Sequence, residues 1–152
     1  DEKTITELGH MWYMDKAIGN FVKTTEAVEH NSLFVITGDH SERFHFAKEQ
    51  DTKTKSAIPC VFYGTGLSKV MFKSMQVGVH NQIAGTIAEL IASAGFEYSS
   101  MMENMFIENV VFNHHLAADK YGIKGLSKDI ELNKMAADAK KIAAWRVLKG
   151  EF

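Results

Sequence analysis

Between residues 6 and 30, Leu8, Met11, Trp12, Ile18, Phe21, Val22 and Val28 recur every three or four positions, with Asp15 and Thr25 in the same register. That spacing marks one face of a helix, with Thr6 as its N-cap and Asn31 as its natural stop. Gly19 weakens the middle by about 1 kcal/mol relative to Ala, which packing must offset. Two later runs lose the helical period. Leu33, Phe34, Val35 and Ile36 are continuously apolar and end at Gly38, and residues 58–63 form a second such run with the only proline, Pro59, near its start. Runs of this kind suit strands buried on both faces of a parallel sheet, and a proline is tolerated where a strand begins. The two runs are therefore expected to be adjacent parallel strands, with the 6–30 helix crossing one face.

The rest of the pattern is weaker. Residues 41–57 are polar and charged without a sustained period, as in a long loop covering a site. Residues 69–78 read as extended or irregular. Asn81 is placed to cap a second helix running to about Ala94, with Ile83, Ile87, Leu90 and Ile91 as its stripe and Gly95 at the C-terminal stop. Residues 109–114 suit a late strand. A third helix is expected over 127–149, capped by Ser127, with Ile130, Met135, Ala139, Ile142, Trp145 and Leu148 on its apolar side. The expected fold class is α/β, a largely parallel sheet flanked by helices in a single domain over 1–152.

Composition narrows the function. At 152 residues, 45% hydrophobic and 24% charged, the chain can bury a core and is not of disordered type. A net charge of −2, with Lys and Arg interspersed among Asp and Glu, offers no basic face, so nucleic acid is not an expected partner. The single cysteine, Cys60, excludes an internal disulfide and reads as a buried small hydrophobe. No apolar stretch approaches the roughly 18 residues of a membrane span. The chain begins at Asp1 rather than Met, inside a helix-like stretch, and is expected to be a piece of something longer.

Chemistry concentrates behind the first apolar run. Gly38, Asp39 and His40 put a carboxylate and an imidazole at the carboxyl end of a strand, where open α/β sheets bind ligands. Hard oxygen with borderline nitrogen is a common ligand mixture for Zn, Mn or Fe. The bland alternative is a turn at Gly38, a capping Asp39 and a solvated His40. Neighbours on a strand face opposite ways, so convergence requires the chain to leave strand geometry at Gly38.

The segments LGHMWYMDKAIGNFV, SLFVITGDHSER, IPCVFYG and VHNQIAGTIAELIASAG occur in that order between Leu8 and Gly95. Together they resemble the C-terminal half of the sulfatase-like catalytic domain of the alkaline phosphatase superfamily, nearest the lipoteichoic acid synthase and phosphoglycerol transferase group. The resemblance implies that Asp39 and His40 are ligands of a divalent metal, with Mn or Zn expected and Mg or Ca as harder-ion alternatives. It implies further that an acidic ligand and a Thr or Ser nucleophile lie in an N-terminal half absent from this chain. The parent would transfer a phosphoglycerol-type group through a covalent phospho-enzyme. Its substrate would be a phospholipid or glycan, and it would be anchored at the extracytoplasmic face of a bacterial membrane. The fragment would pair with the remaining half of the catalytic domain or with itself.

Departures from the family pattern are visible. The modified cysteine of classical sulfatases sits in a Cys-x-Pro-x-Arg context, whereas Cys60 is followed by Val61 and Phe62. In the Ser-His-x-Asp-x-x-Pro-Thr run, His80 and Thr86 match, but Gln82 replaces the Asp and Gly85 the Pro, which removes any polar role of that Asp. An Asp-His pair rather than Asp-Asn favours a transition metal over calcium.

Secondary site candidates are His45, a donor to a phosphate oxygen or a solvated loop histidine, and Arg43, a bidentate phosphate partner or a partner of Glu42 or Asp51. His80 is a third, either approaching the metal or preceding a helix cap. Ser41 reads as a loop hydroxyl without an activating base. The adjacent His114 and His115, like His10 and His30, are assigned structural roles, and Met101, Met102 and Met105 are core or interface filler. Competing functions are a soluble sulfate or phosphate ester hydrolase and a non-catalytic α/β binding module.

Overall fold

The computed structural model describes residues 2–41, 55–72, 77–100, 102–107, 111–112, 116–119, 122–125 and 130–150. The chain divides into two units, 1–67 and 68–152.

The first unit opens with helix α1, Glu2–Glu26, which starts a turn ahead of the expected cap. Thr6 lies inside it and donates from Oγ1 to the Glu2 carbonyl (3.0 Å). The helix ends four residues short of His30, whose Nδ1 lies 2.7 Å from the Glu26 carbonyl and satisfies one of the terminal acceptors. Strands β1, Leu33–Thr37, and β2, Cys60–Gly64, coincide with the two apolar runs.

Their pairing corrects the sequence expectation. β1 and β2 are antiparallel, with Leu33 opposite Gly64 and Thr37 opposite Cys60. An apolar run records burial, not direction. The antiparallel register places Gly38 beside Pro59, so the connection leaves and returns at one end and needs no crossover. The Gly38 N–H donates to the Pro59 carbonyl (3.4 Å), extending the ladder by one residue. Burial on both faces is not found either: Phe34 is the one buried residue of the two strands. Its ring meets Phe21 of α1 edge-on at 6.1 Å and Tyr63 of β2 at 6.0 Å. Ile18, Phe21, Val22 and Thr25 line a shallow depression along β1, so the last turns of α1 cover that strand. Cys60 is exposed rather than buried.

The second unit begins with a 3-10 turn, Lys69–Phe72, and continues through a second such turn, His80–Gln82, into helix α2, Ile83–Ile91. Asn81 therefore sits in a turn and is not the cap. The helix stops at Ala92, and Gly95 occupies a separate turn beyond it at φ +84°. The interior here is polar. Gln82 is 1% exposed and Thr86 fully buried. Gln82 Oε1 accepts the Val79 N–H (3.1 Å) while its Nε2 donates to the Glu103 carbonyl (3.1 Å). Thr86 Oγ1 donates to the Gln82 carbonyl (2.7 Å) and accepts the Met105 N–H (2.9 Å). The Gln82 amide thus serves this interior with a donor as well as an acceptor.

Strands β3, Val111–Phe112, β4, Leu116–Asp119, and β5, Gly122–Gly125, form an antiparallel meander of which only the first strand was anticipated. Both sheets among the described residues are therefore antiparallel, and the largely parallel sheet is not found. Helix α3, Ile130–Lys149, matches the expected third helix. Its packed side is Leu132, Ala136 and Ala139, set with Met102 against Phe112 and Ala117. Of the stripe read from sequence, Ile130, Met135, Ile142, Trp145 and Leu148 face solvent. Met105 is buried, as expected for filler. No helix among the described residues is long and apolar enough to cross a membrane.

A methyl group at Gly64 would stand 2.5 Å from the Ser32 carbonyl oxygen, a backbone atom that cannot swing aside. Gly64→Ala should destabilise the β1–β2 pair by about 1–3 kcal/mol, measurable by denaturant titration. Thr86→Val keeps the shape but strands the buried Met105 N–H, and should cost about 1–3 kcal/mol in thermal unfolding.

Candidate metal-binding turn

The first unit carries the candidate site at the carboxyl end of β1. Beyond Gly38 the chain bends, so Asp39 and His40, which would face opposite ways on a strand, converge. Asp39 Oδ1 accepts the His40 backbone N–H at 2.9 Å. That local bond pins the carboxylate and leaves its other oxygen, Oδ2, 3.4 Å from His40 Nε2. The opposite ring nitrogen, Nδ1, lies 2.9 Å from the Ser41 carbonyl oxygen. Ser41 Oγ in turn donates to the Lys55 carbonyl, joining points fourteen residues apart.

Both side chains are open to solvent, Asp39 at 87% and His40 at 66%. The pair sits on the surface, not in an enclosed crevice, so an ion reaches it without displacing protein. Such an exposed pair gains little from its own charge attraction. Its chemistry lies instead in holding one carboxylate oxygen and one imidazole nitrogen 3.4 Å apart. Two ligands on tetrahedral bonds of about 2.1 Å stand about 3.4 Å apart, so this donor set fits a zinc-sized ion. No group of three or more His, Cys, Asp or Glu suited to a metal occurs among the described residues.

Arg43 and His45 lie outside the described residues, as do Glu42, Asp51, His114 and His115. His80 opens the 3-10 turn ahead of α2, in the second unit, with its side chain exposed. Ser41, read from sequence as a plain loop hydroxyl, turns out to tie the Asp-His turn to Lys55. Only its position next to His40 could have pointed to it.

Cys60 stands opposite Thr37 on β2. Partial desolvation of the sulfur pushes its thiol up, and a hydrogen bond with Thr37 pulls the other way without cancelling the rise. A raised thiol is protonated at neutral pH, which makes Cys60 a poor nucleophile although it is exposed. Thiolate-selective labelling of Cys60 should therefore be slow at neutral pH, with its midpoint above that of a free thiol. Thr37→Val should move that midpoint higher still, followed as labelling rate against pH.

The sulfatase family model matches residues 4–93, a stretch that includes all but the first two residues of α1, both strands of the first sheet, the Asp39–His40 turn and α2. No curated protein and no solved structure matches the chain.

Proposed function

Because this chain belongs to the sulfatase family, matched over more than half its length, we propose that it carries part of the divalent-metal site of an enzyme acting on phosphate or sulfate esters. Asp39 and His40 are the metal ligands in this reading. The observation that carries it is the convergence of Asp39 Oδ2 and His40 Nε2 at 3.4 Å on a solvent-open turn. A bound Zn or Mn would supply Lewis-acid polarisation of an ester oxygen. The chain's own contribution is to hold a carboxylate and an imidazole ready, each already fastened by a local bond to backbone.

Within the family, the phosphoglycerol-transferring branch is the finer assignment. It rests on the Asp-His pair, whose mixed oxygen and nitrogen donors suit a transition metal better than calcium. A phospholipid or glycan would then be the substrate, at an extracytoplasmic membrane surface, with the nucleophile and further ligands supplied from elsewhere in the parent enzyme. Simple hydrolysis of a sulfate or phosphate ester is the second reading, favoured by the breadth of the family match itself.

Two exposed ligands hold an ion weakly, since a catalytic zinc site uses about three protein ligands and an open position. The 152-residue chain alone should bind Mn²⁺ or Zn²⁺ only weakly in calorimetry and show no turnover of a chromogenic phosphodiester. In the full-length enzyme, Asp39→Ala and His40→Ala should each reduce turnover to background. Stability should stay within about 0.5 kcal/mol of the parent, because both side chains are exposed. Near-native turnover by either variant would reject the assignment. A phosphodiester and an aryl sulfate, assayed side by side, separate the transferase branch from a sulfate hydrolase.

A further inference from the structure

The bond from the Gly38 N–H to the Pro59 carbonyl fixes which way each residue of β1 points its backbone. In the antiparallel register, hydrogen-bonded pairs fall at every second residue, so Gly38–Pro59 is followed by Ile36–Val61 and Phe34–Tyr63. The N–H and C=O groups of Leu33, Val35 and Thr37 therefore point away from β2. No described residue pairs with them there, since the sheet consists of β1 and β2. A depression of about 530 Å³ runs along that side, lined by 32–37 in unbroken succession and walled by Ile18, Phe21, Val22 and Thr25 of α1. Exposed strand edges are commonly blunted by charge or proline, and the β1 sequence LFVIT has neither.

We propose that this edge of β1 pairs antiparallel with the same edge of a second copy, about a two-fold axis at Val35. The edge is its own complement. With the axis at Val35, Leu33 stands opposite Thr37 of the other copy and Val35 opposite Val35, all as hydrogen-bonded pairs. Every outward group of the three residues is then satisfied, and any other register leaves at least one without a partner. The side chains agree with the backbone. No charged residue lines the depression, so the strand that enters it must be uncharged, as LFVIT is. Phe34 and Ile36 share the face that meets Phe21, and the two-fold sets Phe34 of each copy opposite Ile36 of the other beneath α1. An axis perpendicular to the sheet also puts both copies of α1 on one side. Leu8, Trp12, Ile18 and Phe21, all exposed in the single chain, thereby add apolar area that five residues of strand would not supply alone.

Sedimentation equilibrium of the 152-residue chain across the micromolar range should show a concentration-dependent dimer. Val35→Lys and Val35→Glu should each weaken it by about 10-fold or more, because the two-fold sets identical charges directly opposite each other. An equimolar mixture of the two variants should recover the dimer, Lys from one copy facing Glu from the other. Val35 lies on the face away from Phe21, so circular dichroism of each variant should match the parent. A second arm needs no charge in the strand. In a Cys60→Ser background, Val35→Cys should oxidise to a disulfide-linked dimer, since a hydrogen-bonded pair holds its Cα atoms about 5.5 Å apart, within disulfide reach. Val61→Cys, on β2, should not. A chain monomeric at every concentration would overturn the proposal. So would a dimer indifferent to Val35→Lys, a mixture no stronger than either variant, or equal cross-linking through position 61.

Discussion

The first unit depends on where the antiparallel ladder between β1 and β2 ends. Its last rung is the bond from the Gly38 N–H to the Pro59 carbonyl. Up to that point side chains must alternate, and no two neighbours can share a target. One residue later the backbone is released and Asp39 and His40 converge. A ladder one rung longer would hold Asp39 in strand geometry and send the two side chains to opposite faces. The candidate site is thus a product of strand termination, and Pro59, which has no N–H of its own to place, is well suited to the last partner position.

What was legible beforehand follows from what each kind of pattern encodes. Long stretches with a helical period gave α1 and α3 nearly whole, and the apolar runs gave β1 and β2 to within a residue or two. Their direction was not readable, because Leu33–Thr37 has the same composition whichever way its partner runs. Nor was the packed side of α3. Of the expected stripe Ile130, Met135, Ala139, Ile142, Trp145 and Leu148, Ala139 makes the contact, joined by Leu132 and Ala136, where small side chains allow close approach. The Asp39–His40 pair was conspicuous as two ligand-type residues behind a strand. The Ser41–Lys55 bond was not, since its partners are fourteen positions apart and one of them is a backbone carbonyl that any residue could supply.

The second unit shows the same gap between composition and role. A hydrophobic stripe on α2 led attention to Ile83, Ile87, Leu90 and Ile91, yet around the start of that helix the fully enclosed side chains among the described residues are Gln82 and Thr86. Both are saturated by backbone groups from Val79, Glu103 and Met105, which links the start of α2 to the segment after Ser100. An amide in this place is a neutral group that both gives and takes. A buried position can use that without an accompanying cation.

That polar interior has a calorimetric consequence. Apolar surface raises the heat capacity when it is exposed to water, while polar surface lowers it, by about +0.45 and −0.26 cal/mol/K per Å² respectively. Among the described residues of the second unit, Gln82, Thr86 and Asn104 are buried as well as Met105, Val111 and Phe112, so the two contributions partly cancel when it unfolds. Its stability curve is correspondingly flatter with temperature than that of an all-apolar core of equal size, with less fall-off toward the cold.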